Sequence, residues 1–283
     1  MRCFSIAVAL LCCLLFALPA TATESPNDPA IAKLMSLSGT QAQVQQYPAV
    51  FLGIHAQQKD LMPPETYEIA KRLLEERFQA ERLESRIFDE LRQDFDPVSA
   101  QEVLEWLETP LGQRITRIEI ENANSQNTIE AEKFGKSEEC KETPEARRNL
   151  ITRLIVAGDV IASNVAIFTS SPSKVLKGIN NALPAEARMS SEFVDAILAE
   201  QRRKMRAAME RSLPVAYLFV YRSLTDADLE AYVIHLESEA GRWYLEQVSE
   251  ALVVSVSEIL DEVNLATMNA LVERANTPKT TSH

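Results

Sequence analysis

The sequence predicts an all-α protein made of two tandem, related helical bundles that a short polar linker joins, preceded by a cleaved signal peptide. Three observations support this prediction: a low glycine content, an apolar N-terminal segment and an internal repeat. Only 7 of the 283 residues are glycine, whereas sandwiches and barrels use glycine at many of their turns. With 46% hydrophobic and 25% charged residues, the composition is otherwise typical of a soluble globular protein.

Residues 1–22 have the pattern of a secretory signal peptide. Arg2 supplies a positive charge ahead of an apolar run from Ile6 to Leu18. Ala20 and Ala22 then place small side chains where a signal peptidase requires them. This run is too short to span a bilayer, and no later stretch is long and apolar enough. We therefore expect a periplasmic or secreted protein that has no transmembrane anchor after cleavage.

The net charge and the cysteines restrict the partners of the mature chain. The full sequence has a formal net charge of −12, and loss of Arg2 with the signal peptide makes it more negative. Such a charge opposes binding to nucleic acid, so we expect no nucleic-acid partner.

Of the four cysteines, only Cys140 lies outside the signal peptide. It is either free or forms an intermolecular disulfide.

An internal repeat divides the mature chain into two copies. The segment Leu107–Gly112 reads LETPLG and recurs as LESEAG at Leu236–Gly241, and Arg77 matches Arg206 at the same offset. Matching offsets at separate positions indicate a duplication. We predict helical repeat 1 at 23–136, a polar linker at 137–144, helical repeat 2 at 145–276 and a disordered tail at 277–283.

The repeated segment has the pattern of a corner between two helices. Thr109 and Ser238 are suited to cap the second helix of each corner, which Pro110 opens in the first copy. A glycine in the first turn lets a neighbouring helix approach closely. An anion site at the helix start is the alternative, although Glu239 would repel an anion. The corner residues are Leu107, Thr109, Pro110, Gly112, Leu236, Ser238 and Gly241.

This corner resembles that of the bacterial family known as domain of unknown function 2059. In that family an aromatic residue precedes a Ser/Thr-Pro-Leu-Gly corner, as Trp106 precedes Thr109–Gly112 here. The second copy keeps Ser238 and Gly241 but has Glu and Ala in place of Pro and Leu. The resemblance implies a secreted or periplasmic all-helical domain in two tandem copies, and it implies no activity.

Other helix boundaries are also marked in the sequence. Asp96–Pro97 predicts a capped helix start, and Thr225 with Asp228 has the pattern of a capping box. Pro214 interrupts a long helical pattern, so we expect two helices there. Apolar residues spaced three and four apart over Leu245–Ala266 predict a long final helix whose apolar stripe faces a core within its own chain.

The sequence contains none of the common catalytic, cofactor or metal motifs. It has three histidines, no HExxH, no CxxC pair, and neither a GxSxG elbow nor a glycine-rich phosphate loop. We therefore predict no catalytic residue, no cofactor and no metal ligand.

One basic run stands out, and it is either a contact face for an acidic group or a solvated helix face paired with Glu200 and Glu210. It consists of Arg202, Arg203, Lys204 and Arg206.

These observations favour a non-enzymatic exported protein that acts through contact with an unknown protein partner or by self-association. The first alternative is a carrier of a small apolar or lipid-like ligand between helices. It is suggested by the apolar segments Val215–Val220 and Ala251–Val256, since ligand sites are often apolar clefts between helices. The second alternative is an enzyme with an unrecognised carboxylate site, which a strongly perturbed acid in a cleft would support.

Overall fold

The computed structural model describes residues 25–123, 125–182, 186 and 188–276, and within these ranges every regular element is a helix. The all-α prediction is therefore confirmed. The predicted signal peptide at 1–22 and the predicted tail at 277–283 lie outside the described residues.

The helices divide into a first half, residues 25–136, and a second half, residues 137–276. The first half contains a 3₁₀ turn at Lys59–Leu61 and the helices α1 (Asp28–Leu37), α2 (Thr40–Val44), α3 (Tyr47–Ala56), α4 (Pro64–Arg77), α5 (Ala80–Gln93), α6 (Pro97–Leu107), α7 (Pro110–Asn122) and α8 (Ser125–Gly135). The second half contains α9 (Glu138–Lys141), α10 (Glu145–Ala157), α11 (Val160–Ala182), α12 (Ser191–Val220), α13 (Asp226–Glu237) and α14 (Glu239–Asn276).

Local side-chain caps set the starts of equivalent helices in the two halves. At α6, the Asp96 carboxylate accepts a hydrogen bond from the backbone N–H of Val98 at 3.0 Å. At α13, Thr225 and Asp228 form a capping box in which each side chain accepts from the backbone N–H of the other, both at 3.1 Å. Such bonds satisfy N–H groups that have no partner within the helix. Both predicted helix starts are therefore confirmed.

The two halves do not form separate bundles, because the long helix α14 of the second half packs on the first half, and α7 and α8 of the first half pack on the second. Helix α14 packs against α4, α5 and α6 of the first half as well as against α11 of its own half. Its side chains Val256, Ile259 and Val263 are buried in a core that also contains Leu83 and Ile87 of α5. In return, α8 and the end of α7 pack against α12 of the second half. This packing corrects the predicted architecture of two separate bundles. An apolar stripe on a helix is buried against a complementary apolar face, and that face can lie in the other half of the chain.

Ion pairs reinforce the contact between α5 and α14. Arg82 and Arg86 each place a guanidinium nitrogen 2.6 Å from a different carboxylate oxygen of Glu262. Both arginines and the carboxylate are partly exposed, so we assign most of the stability of this contact to the buried apolar side chains.

The expected linker and the expected break at Pro214 differ from the structure. Residues 137–144 include the short helix α9, and Cys140 has only 4% of its surface exposed within the second-half core. The folded chain therefore does not present this thiol to a second chain for an intermolecular disulfide.

Helix α12 continues through Pro214. Glu210, whose carbonyl loses its intrahelical partner to the proline, is exposed, so water can hydrate it.

One bent pair of helices in the described part of the chain has the length and composition of a membrane span. Among the described residues, no single helix is long and apolar enough to cross a membrane. Glu145–Ala157 and Val160–Gly178, bent by 46°, satisfy the criteria of length and composition only when taken together.

Candidate binding site between the two halves

The two repeated corners have the same hydrogen bonds. In the first corner, Thr109 Oγ1 accepts from the backbone N–H of Gly112 at 3.0 Å and donates to the carbonyl oxygen of Trp106 at 2.7 Å. In the second corner, Ser238 Oγ accepts from Gly241 N–H at 3.0 Å and donates to the carbonyl oxygen of His235 at 2.7 Å. The cap occupies one of the N–H groups that an anion at the helix start would require.

Close backbone contact explains the glycine in each corner. A Cβ atom on Gly112 would lie 2.3 Å from the carbonyl oxygen of Trp106. A Cβ atom on Gly241 would lie 2.1 Å from the carbonyl oxygen of His235. Contacts of this length are not tolerated, so only glycine allows the end of one helix to lie this close to the start of the next.

The corners bring two equivalent aromatic side chains face to face. The rings of Trp106 and His235 stack with their centroids 4.6 Å apart and their planes 12° from parallel. Tyr232 lies parallel to Trp106, with centroids 6.4 Å apart and an angle of 3°. Burial lowers the pKa of His235 to about 4. The imidazole is therefore neutral near neutral pH, and the stack carries no charge.

A pocket of about 400 Å³ lies beside this stack, and we call it the central pocket. Helix α7 directs Glu119 into it from the first half. The Glu119 carboxylate accepts hydrogen bonds from the hydroxyl groups of Tyr221 at 2.5 Å and Tyr232 at 2.8 Å. The pocket thus joins an acid of one half to two phenols of the other. Its aromatic lining residues are Trp106, Tyr217, Tyr221, Tyr232, His235 and Tyr244.

Among the described lining residues of the central pocket, Glu119 is the one carboxylate, and its environment favours the protonated form. Burial raises the pKa of Glu119, and the hydrogen bonds from Tyr221 and Tyr232 oppose this shift. No ion pair to Glu119 is formed within the described part of the chain. Burial, together with the negative charge of Glu119, also raises the pKa values of Tyr221 and Tyr232. Ionising this carboxyl group therefore costs free energy unless a positive charge enters the pocket.

The wall of the central pocket formed by the loop after α1 is also polar. The hydroxyl of Tyr244 donates to Ser38 Oγ at 2.6 Å and lies 3.1 Å from Thr40 Oγ1. Ser38 Oγ and Thr40 Oγ1 are themselves 2.8 Å apart. Gly39, between them, has φ of 79°, which favours glycine. These hydroxyls satisfy a buried phenol and hold α14 against the first half.

The basic run that the sequence singled out lies away from the central pocket. Arg202, Arg203, Lys204 and Arg206 are exposed on α12 and do not line the pocket. Arg203 pairs with Glu200, and Lys204 lies 3.5 Å from the same carboxylate. These pairs favour the interpretation of a solvated helix face. Within the described ranges, no group of three or more His, Cys, Asp or Glu side chains is suited to hold a metal ion.

Sequence reasoning identified the two corners but missed Glu119 and the tyrosines that contact it. A local signal for Glu119 was available. Glu119 follows Ile115 by one helical turn, and both Ile115 and Thr116 are buried. An acid on the apolar face of an amphipathic helix requires a buried partner or a ligand. Its partners lie at the C-terminal cap of α12 and on α13, more than a hundred residues away, and no local pattern predicts them.

No family model, no curated protein and no solved structure matches this chain. The similarity of its corners to domain of unknown function 2059 therefore stays a prediction from the sequence.

Proposed function

We propose that this protein is an exported binding protein that holds a small organic molecule in the central pocket, between its two halves. The observation that carries the proposal is the pocket of about 400 Å³ in which Glu119 meets an aromatic wall. Pockets of this size accommodate small organic ligands, and an apolar wall with a few polar groups is typical of such sites. The proposal develops the carrier that the apolar composition suggested, with a polar anchor added to the apolar wall.

The position of the pocket also supports binding. It lies where the two halves meet, so its walls come from separate helices: Trp106 from α6, Glu119 from α7, and Tyr232 from α13. Ligand sites often occur between helices and at the interfaces of structural units. A ligand in this place contacts both halves, and its binding free energy therefore stabilises their association.

The other two functions expected from the sequence receive less support. For a protein–protein contact, Leu265, Met268 and Val272 form an exposed apolar strip on α14, but nothing in the structure indicates what covers it. For an enzyme, Glu119 has the raised pKa of an acid catalyst. The described lining of the pocket nevertheless contains no second carboxylate for paired acid–base chemistry.

Native mass spectrometry of the full chain, expressed with its N-terminal segment and recovered without detergent, tests the proposal. We expect a mass above that of the polypeptide, and we expect the extra mass to disappear on denaturation. Val220→Phe places a larger side chain in the wall of the pocket and should remove the extra mass. Ile234→Phe is the matched control, because Ile234 is 58% exposed and lies outside the pocket.

A ligand that is retained equally by both variants would contradict the assignment to this pocket. If no extra mass is found, and no small molecule from a chemically diverse set raises the melting temperature of the wild-type protein, the proposal is wrong. Circular dichroism at 222 nm, a standard probe of helix content, checks that both variants keep the fold.

A further inference from the structure

The described lining of the central pocket contains one acidic side chain and no basic one. Glu119 is the one acidic side chain among the lining residues that the structure describes, and none of these is Lys or Arg. His235 is buried and stacks on Trp106, and burial keeps its imidazole neutral. The pocket therefore offers a single carboxylate without a cation to neutralise it. A buried charge in this situation is costly, and an oppositely charged ligand removes the cost.

Two tyrosine hydroxyl groups contact this carboxylate, and the ring of a third tyrosine packs beside them. Tyr221 and Tyr232 donate their hydroxyl hydrogens to Glu119, and the rings of these two residues meet edge to face with centroids 6.1 Å apart. Tyr217 meets Tyr221 in the same manner at 5.6 Å. The faces of aromatic rings carry partial negative charge and attract cations, and rings of this kind enclose quaternary ammonium groups in known sites.

The internal repeat shows that the fold does not require an acid at this place. The position equivalent to Glu119 in the second half is Val248, which is partly buried against apolar cores. Likewise, Tyr232 corresponds to Val103, a buried core residue of the first half. Apolar side chains therefore satisfy the helix contacts at these positions. The carboxylate and the phenol are additions to one side of the pocket, where they contact each other.

Building on the proposed function, we infer that the ligand is a small organic cation, an amine or a quaternary ammonium compound with an apolar or aromatic body. Its positive group lies against Glu119 and the neighbouring tyrosine rings, and its body lies along Trp106 and the aliphatic wall. The carboxylate is ionised when the cation is bound, so a protonated Glu119 releases its proton to solvent on binding. Apart from this proton transfer, binding is non-covalent.

Three probes of similar shape and different charge test this inference by isothermal titration calorimetry. They are 2-phenylethylammonium, the neutral 2-phenylethanol and the anionic 3-phenylpropanoate. We expect the ammonium compound to bind about tenfold or more tightly than the alcohol, since both the carboxylate and the rings attract its charge. The anion should bind most weakly. This comparison uses the wild-type chain and does not depend on the folding of a variant.

Two variants then assign the preference to Glu119. Glu119→Gln keeps the size of the side chain and removes its charge, and it should abolish the tenfold preference for the ammonium compound over the alcohol. Glu102→Gln changes the net charge of the protein equally at an exposed position outside the pocket, and it should leave the preference intact.

The outcomes separate this inference from the proposed function. If the alcohol binds as tightly as the ammonium compound, or if Glu119→Gln keeps the preference, the cation inference is wrong while ligand binding stands. If no probe binds but native mass spectrometry detects a bound molecule, the cation inference also fails and the proposed function stands. If neither a probe nor a bound molecule is detected, both are overturned.

Discussion

Replacing Gly112 by alanine tests whether the repeated corner depends on close backbone contact. The added Cβ would lie 2.3 Å from the carbonyl oxygen of Trp106, whereas real Cβ atoms essentially never come within 3.0 Å of such an atom. The end of α6 must therefore move by at least about 0.7 Å. A backbone oxygen cannot turn away as a side chain can. The same oxygen also accepts the hydrogen bond from Thr109, so the movement disturbs the cap.

The expected loss of stability follows from two opposing effects. Overpacking of this kind costs about 1–3 kcal/mol, and we place this case at the upper end because backbone must move. Alanine in place of glycine returns about 1 kcal/mol of helix propensity. The net destabilisation is about 2 kcal/mol, which lowers the melting temperature by about 4–8 °C for a chain of this size. Gly241→Ala should behave in the same way, since its Cβ would lie 2.1 Å from the carbonyl oxygen of His235.

Two other glycines provide matched controls, measured by the same thermal melts at 222 nm. A Cβ on Gly53 or Gly178 would meet nothing within 4 Å, and both residues lie inside helices and are exposed. Alanine at either position should raise stability by about 0.5–1 kcal/mol. The reasoning about the corner is refuted if Gly112→Ala melts at or above the wild-type temperature while the controls are stabilised as expected.

Three further predictions concern single side chains. Because burial raises the pKa of Glu119 in the folded state, its contribution to stability is present at low pH and is lost as pH rises through that pKa. Glu119→Gln should therefore gain melting temperature relative to wild type between pH 4 and pH 8, and an equal difference at both pH values would contradict this. The buried thiol of Cys140 should react with a thiol reagent slowly in the native protein and rapidly in urea; equal rates would show that it is exposed. Thr225→Ala removes the cap of α13 and should lower the free energy of unfolding in urea by about 1 kcal/mol, whereas an unchanged value would show that the cap contributes nothing.

Much of the local structure follows from short-range patterns in the sequence. The caps at Asp96 and Thr225 are side chains that accept hydrogen bonds from backbone N–H groups within three residues. They can therefore be predicted from the sequence without knowledge of the fold. The two corners are equally local, since the hydroxyl groups of Thr109 and Ser238 form hydrogen bonds only with backbone groups three residues away. Pro214 does not end α12, although the local pattern predicted a break. Residues near both ends of α12 are buried, and this packing outweighs the one hydrogen bond that the proline removes.

Local patterns in the sequence were enough to predict the all-helical class and the capped corners, because helical periodicity and capping act over a few residues. The duplication stays a prediction. Only the tertiary structure decided that α14 packs on the first half, that Cys140 is buried, and that Glu119 meets Tyr221 and Tyr232. An apolar stripe specifies which face of a helix is buried but not which helix covers it. The candidate site is formed by side chains far apart in sequence, so its chemistry becomes visible only once folding places α7 beside Tyr221 and Tyr232.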